Sequence, residues 1–263
     1  MLRPGPVARV TVAALFTLVV LVLVVAPVAV LVLASVAASW NSVLPTEFTS
    51  AHLSESLSGD NLQSLSVSVQ TALVAGLLSV LVGTWAALAA RALPERVRGA
   101  VDAVFHLPAA VPSVVVGLGV LVAFSGPPLM LAGTPAIVIV AQSALVLSFA
   151  FSSVSGAVAR LDPAPSRAAR SLGASGARVL WRVELPALLP AIATAFGLAM
   201  ALCMGELGAT VMVYPPTWRT LPVSVFARTD RGDLFGAASD ALVLIAVTVV
   251  VLALVDLVRR RAR

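Results

Sequence analysis

Charge is missing from stretches longer than a soluble fold tolerates. No Arg, Lys, Asp or Glu occurs from Val10 to Thr46, and between Asp102 and Arg160 the only ionisable side chain is His106. About 20 apolar residues in a helix cross a hydrocarbon core about 30 Å thick, where every backbone polar group has to be satisfied within the chain. Such runs predict an all-α, polytopic integral membrane protein. Hydrophobic residues make up 60% of the 263 and charged ones 11%, which excludes an ordinary soluble domain.

Six segments qualify as spans: residues 10–36, 64–90, 101–124, 135–158, 188–212 and 237–258. They are expected to form one transmembrane domain over residues 1–263. The first is far longer than the apolar region of a signal peptide and reads as a span, not a cleaved leader. Pro27 is expected to kink it. Ser125 to Thr134, rich in Gly and Pro, divides the third span from the fourth.

Six spans put both termini on one side. With the N-terminus in the cytoplasm, every arginine except Arg219, Arg228 and Arg231 lies inside, as the bias of basic residues toward cytoplasmic loops requires. The outer loop from Ser39 to Gln63 then carries Glu47, Glu55 and Asp60 and no arginine or lysine. The net charge of +5 comes without lysine, from arginines clustered between apolar runs, which fits topology and not nucleic acid. Cys203 lies within an apolar run, so no disulfide framework or CxxC metal site is expected, and no cofactor.

One long charged segment, Ala159 to Pro190, lies between apolar runs. Ser166 is placed to cap a short helix on which Ala168, Ala169 and Leu172 share a face while Arg167 and Arg170 point elsewhere. Gly173 breaks that helix. A second short helix is expected from Ser175 toward Val183, with Arg178 and Arg182 one turn apart, before Leu185-Pro186 redirects the chain. The result is a compact knob. From the residues alone it is either a partner-binding element or a loop whose arginines rest on anionic headgroups, at about 1 kcal/mol each.

The spacing Ala168-Ala169, three residues, Gly173, nine residues, Val183, one residue, Leu185-Pro186 resembles the EAA loop of bacterial ABC-importer permeases. Arg167 stands where that family has its glutamate. The resemblance implies the type I permease fold, with loop 159–187 as a cytoplasmic coupling element in a cleft of an ATP-binding subunit. Arg167, Ala168, Ala169, Leu172, Gly173, Ala174, Val183, Leu185 and Pro186 would mediate that contact. It also implies that ATP is hydrolysed on the other subunit, and no GxxxxGK[ST] occurs in this chain.

Other ionisable residues lie at helix ends. Arg98, Asp102 and His106 are spaced to stack in a row, Asp256 is spaced to pair with Arg259 and Arg260, and Asp240 lies near the outer end of the sixth span. Glu206 differs, since no charge occurs from Leu185 to Gly205 or from Leu207 to Thr217. A carboxylate at that depth is costly. Two readings stand. Glu206, with Gly205, Gly208 and Thr210, lines the translocation path or its gate, or it is satisfied by backbone amides or hydroxyls where the fifth span breaks. Gly205 and Gly208 also suit a close helix seam.

The segment Gly205-Glu206-Leu207-Gly208-Ala209-Thr210 resembles permeases of molybdate, sulfate, thiamine and phosphonate importers. The outer loop from Tyr214 to Gly232 resembles those of 2-aminoethylphosphonate importers. The implied partners are an extracytoplasmic binding protein, the ATP-binding subunit and a second permease, identical or not. The implied cargo is a small anion or zwitterion such as 2-aminoethylphosphonate, with molybdate, sulfate, thiamine or iron as alternatives. Trp218, Arg219, Arg228 and Arg231 form the expected docking surface, or else a lid tied to outer headgroups.

Two other classes fit less well. A secondary transporter is expected to show repeated halves and an intramembrane relay, for which Glu206 is the single candidate. An intramembrane hydrolase needs a serine or paired aspartates at depth, and no GxSxG occurs.

Overall fold

A computed structural model describes residues 6–261. In chain order the elements are α1 (Pro6–Val20), a π turn (Leu21–Val25), α2 (Ala26–Ser35), β1 (Ala37–Ser39), β2 (Glu47–Phe48), α3 (Ala51–Ser56), α4 (Gly59–Ala90), α5 (Glu95–Ala110), α6 (Ser113–Ala123), α7 (Pro135–Ala159), α8 (Ala164–Ser171), α9 (Gly176–Val179), a second π turn (Leu180–Glu184), α10 (Leu185–Met204), α11 (Gly208–Val213), a 3-10 turn (Pro216–Trp218), α12 (Leu221–Asp230) and α13 (Leu234–Arg261). Arg3 and Arg263 lie outside the described residues, as do the side chains of Arg259 and Arg260 expected to pair with Asp256. Five helical runs are long and apolar enough to cross a bilayer: Arg9–Ser35, Gly59–Ala90, Pro135–Ala159, Gly176–Met204 and Leu234–Leu257. The pair α5 and α6 makes a sixth crossing if counted as one span.

The chain divides into two compact units. One holds residues 6–62 and Ser224–Ile245. Its first helix has no buried side chain from Arg9 to Ala34. Pro27 acts there through the π turn: lacking an N–H and crowding the turn before it, it opens the ladder so that Ala26 N–H donates to Leu21 C=O, five residues back. Beyond the helix, β1 and β2 pair antiparallel with Ala37 opposite Phe48. The buried Ser239 hydroxyl of α13 donates to the Ser35 carbonyl at the end of α2 (2.9 Å), satisfying a group left open by the helix terminus.

The other unit holds Gln63–Val223 and 246–261. Its core runs along α7, where Ile137, Val138, Ala141, Val146, Ala150, Phe151 and Val154 are buried. α10, α5, α6 and α11 pack on this helix. α4 approaches it at Gly83, where an added Cβ would stand 2.9 Å from the Phe151 nitrogen. Ser79 Oγ donates to the Ser143 carbonyl across the same seam (3.0 Å).

The third expected span, 101–124, is not one rod. α5 and α6 meet at 105°, with Val111 extended (φ −101°, ψ 136°) ahead of Pro112. A residue before proline is sterically driven out of the α region, so the helix stops there and restarts after Pro112. The expected Arg98–Asp102–His106 row is also replaced by other contacts. His106 Nδ1–H donates to the Asp102 backbone carbonyl (2.6 Å), and Nε2 lies 2.7 Å from Ser152 Oγ on α7. His106 therefore ties α5 to α7.

The fifth span begins before and ends sooner than the expected 188–212. Leu185-Pro186 does not turn the chain. The second π turn absorbs the missing proline N–H, Leu185 N–H donating to Leu180 C=O, and helix continues from Gly176 to Met204. It breaks at Gly205–Leu207, and α11 follows, packed on α6.

That α6–α11 seam has no room for a side chain at Gly117, where a Cβ would lie 2.6 Å from the Ala209 oxygen and 2.7 Å from its Cα. Backbone cannot step aside as a flexible side chain can. Gly117→Val is expected to lower stability by about 1–3 kcal/mol, read as an earlier thermal transition of the purified protein. An unchanged transition would show that the seam opens freely.

Candidate functional site

The knob is built around a helix end. Just past α8 the chain reaches Gly173 with φ +84°, a conformation open to glycine and resisted by residues with a Cβ. Gly173 N–H donates to Arg170 C=O and Ala174 N–H to Ala169 C=O, both at 3.0 Å. These two bonds are the Schellman closure, satisfying carbonyls that the helix end would leave open. Ser175 then caps α9, accepting from Arg178 N–H (3.4 Å). Leu172 stands at the tip, 89% exposed. Arg167 and Ala168 are exposed, Ala169 and Ala174 half-buried.

Ser166 does not cap α8, as the sequence suggested. Pro163 holds the cap position, and Ser166 is buried in the helix, its hydroxyl donating to Glu184 Oε1 (3.1 Å). Glu184, 4% exposed, also forms an ion pair with Arg91 just beyond α4. The knob is therefore fastened twice to the spans. Covalent helix joins it to α10, and the Ser166–Glu184–Arg91 chain joins it to the end of α4. Val183 and Leu185 are half-buried and Pro186 is exposed along the connecting helix.

Glu206 lies at the break between α10 and α11. Its Oε1 accepts from Ala209 N–H at 2.5 Å, capping the short helix. Its other oxygen has no hydrogen-bond partner among the described residues, and the side chain lines a cavity of about 210 Å³. The cavity wall also includes Ser113 at the start of α6 and Gln142 of α7. Gln142 is 1% exposed, and its Nε2 donates to Thr210 Oγ1 (3.0 Å) while its Oε1 is buried without a partner among the described residues. Gly208 rests against Ser113 and Val114 with no space for a Cβ, whereas a Cβ added at Gly205 would come no nearer than 3.9 Å to its surroundings. The close seam thus forms at Gly208 and not at Gly205.

The expected docking residues separate. Trp218 is half-buried, its indole N–H donating to Thr71 Oγ1 of α4 (2.9 Å), and Arg219 is half-buried with Nε enclosed. Arg231 is exposed. Arg228 is no part of an open surface. It is 9% exposed, with Nη2 2.6 Å from Glu55, Nη1 2.6 Å from Asp233 and Nε 3.0 Å from Asp240. Burial opposes its charge, but hydrogen bonding to Glu55, the charge of Asp240 and hydrogen bonding to Asp233 outweigh that and hold the guanidinium above its ordinary range. Burial likewise works against the Asp233 carboxylate. The Gly236 N–H and the Arg228 guanidinium overcome it, and its pKa lies below the usual carboxylate value.

Comparison with known proteins decides what class of molecule carries these features. Residues 79–263 match the family described as binding-protein-dependent transport system inner membrane component. The chain belongs to this family. A Salmonella paratyphi A protein with the provisional name of 2-aminoethylphosphonate transport system permease protein PhnV is 43% identical over 89% of both chains. The molybdenum transport system permease protein ModB of Mycobacterium bovis is 34% identical over 71% of this chain and 76% of its own. Among solved structures, a bacterial ABC transporter that imports the acidic polysaccharide alginate superposes with a TM-score of 0.77 at 16% identity, covering 96% of this chain and 95% of the other, a likeness of fold.

Within this inner membrane permease the sequence reading missed Glu184 and Gln142. Glu184 follows a run of arginines and read as one charge among many, and only the fold brings Arg91 to it. Gln142 is uncharged, although an amide in the run Ile137 to Leu147 was a visible irregularity.

Two outcomes follow from this geometry. Glu184→Leu removes the acceptor for both Ser166 and Arg91. Since Arg91 is itself 38% exposed, the expected loss is about 1 kcal/mol, seen as faster protease cleavage at the knob with the spans intact; cleavage at the wild-type rate would show that the fastening is idle. The Asp233 contribution has a definite sign with pH. A depressed carboxylate stabilises the fold above its unfolded pKa, about 3.9, and that contribution is lost as pH falls through the lower folded value. The stability gap between wild type and Asp233→Asn should therefore narrow as pH drops below about 4, and a gap independent of pH would rule this out.

Proposed function

We infer that this permease carries a small phosphonate of the 2-aminoethylphosphonate type inward, after delivery by an extracytoplasmic binding protein, and that a separate ATP-binding subunit drives it through the knob. The observation that carries the second half is the knob itself: a glycine-closed helix with Leu172 standing free, fastened to two spans by helix and by Glu184. An element so exposed at its tip and so well anchored at its base suits the transfer of a push. Motion of the ATP-binding subunit displaces α8, and α10 and the end of α4 follow as rigid bodies.

The substrate class rests on the Salmonella relative, alike over most of both chains. The ModB likeness supports an oxyanion alternative. Orientation rests on the arginines, which favour a cytoplasmic knob and cytoplasmic termini. In this reading Gly205, Glu206, Gly208 and Thr210 border the pathway, and the exposed Arg231 is a contact for the binding protein. Two permeases, identical or paired with a sister chain, enclose the path.

Ala169→Trp and Gly173→Val test the coupling. Tryptophan overfills the half-buried face, and valine strains a positive φ at about 1–2 kcal/mol. Both should reduce copurification of the ATP-binding subunit or raise ATP hydrolysed per substrate moved, with insertion unchanged. Full copurification and full coupling in both variants would remove the knob from this role. A cytoplasm-only reporter placed after Leu172 should be active and one after Thr229 silent. Reconstituted uptake that depends on ATP and yields to excess 2-aminoethylphosphonate, but not to molybdate, would separate the two substrate classes.

A further inference from the structure

The cavity beside Glu206 has a chemical bias. Glu206 presents a carboxylate with one oxygen unused by the α11 cap, and Gln142 carries an amide oxygen that is buried and unpartnered among the described residues. Ser113 adds a hydroxyl, able to accept as well as donate. Among the described residues no arginine or histidine lines the cavity. An anion brought here finds a fixed negative charge and no cation. A group rich in N–H donors finds acceptors that the fold leaves unsatisfied, and leaving buried acceptors unpaired is costly. At about 210 Å³ the space is below that of drug-sized ligand pockets, roughly 300–1,000 Å³. It suits a small head and not a peptide.

We propose that this cavity is a binding site for a primary alkylammonium group, held by Glu206, Gln142 and Ser113. The inference rests on the reading of Glu206 as a pathway residue and deepens it: the permease itself receives the cationic end of a zwitterion while the anionic end stays outside the cavity. Glu206 keeps its structural duty in the same geometry, because one oxygen caps α11 and the other is left for the ligand. Gln142 is held in place through Thr210, and its carbonyl, enclosed at the cavity wall without a partner among the described residues, is left wanting a donor. Gly208 allows Ser113 to close against α11 and complete the wall.

The test uses the full permease purified with its ATP-binding subunit and ethylammonium as the probe, followed by saturation-transfer NMR. Ethanol serves as the neutral control and ethylphosphonate as the anionic one. Ethylammonium should give a saturable signal several-fold above ethanol. Glu206→Gln, which can still cap α11 through its amide oxygen, should reduce that signal about fivefold or more, and so should Gln142→Leu. Unchanged thermal transitions in both variants would show that the loss is one of binding. Moving the charge, in the double variant Glu206→Gln with Gln142→Glu, should restore part of the signal. The proposal is overturned if ethylammonium binds no better than ethanol, if neither variant changes it, or if ethylphosphonate gives the signal that Glu206→Gln removes. Uptake of 2-aminoethylphosphonate by the reconstituted wild type is measured separately. Its failure alongside intact ethylammonium binding would sink the assigned substrate and leave the ammonium site standing.

Discussion

Everything in this fold answers to one constraint: within a bilayer a backbone N–H or C=O has no water to turn to. A continuous helix meets the constraint by itself, and most of the chain takes that course. The informative places are where it does not. At Val111-Pro112 and at Gly205–Leu207 the ladder is interrupted, and each break is managed differently. After Pro112, α6 starts against α11 in a glycine-lined seam. At the second break a carboxylate is committed to one backbone N–H of α11.

Breaks of this kind let a membrane protein put chemistry at depth. An unbroken span offers side chains in its own 3.6-residue rhythm, whereas a break frees backbone and brings side chains from several helices to one point. Here Ser113 of α6, Gln142 of α7 and Glu206 just beyond α10 reach one cavity. The knob shows a complementary strategy: Gly173 ends a helix neatly and the anchoring is done by a buried carboxylate.

Much of this was legible in the sequence. Gaps in charge located the spans because the cost of a charge in hydrocarbon is large and local. The Gly173 turn was legible because glycine has few other reasons to follow a short amphipathic helix. The bend at Pro112 was legible in principle from the residue before proline, but apolarity alone joined residues 101–124 into one rod. Leu185-Pro186 misled in the other direction, since proline was read as a turn and the chain absorbed it in a wider helical turn. The rest was hidden by sequence distance. Arg91 and Glu184 are 93 positions apart, Gln142 and Thr210 are 68 apart, and Arg228 draws its partner Glu55 from 173 positions away. Local pattern says which side chains need partners; only packing says who they are. Arg228 is the plainest case, an arginine in a polar loop that read as surface and is enclosed by three acids.

The π turn between α9 and α10 also sets an angle. An α-helix advances about 100° per residue, and a π turn takes in one residue more than the ladder counts. The faces of the knob and of α10 are therefore out of register by roughly that angle relative to an uninterrupted helix. Leu180–Glu184 works as a phase shifter: it decides which side of the span the knob addresses. Loss of a single residue there would aim the knob at a different neighbour and part the Ser166–Glu184–Arg91 fastening.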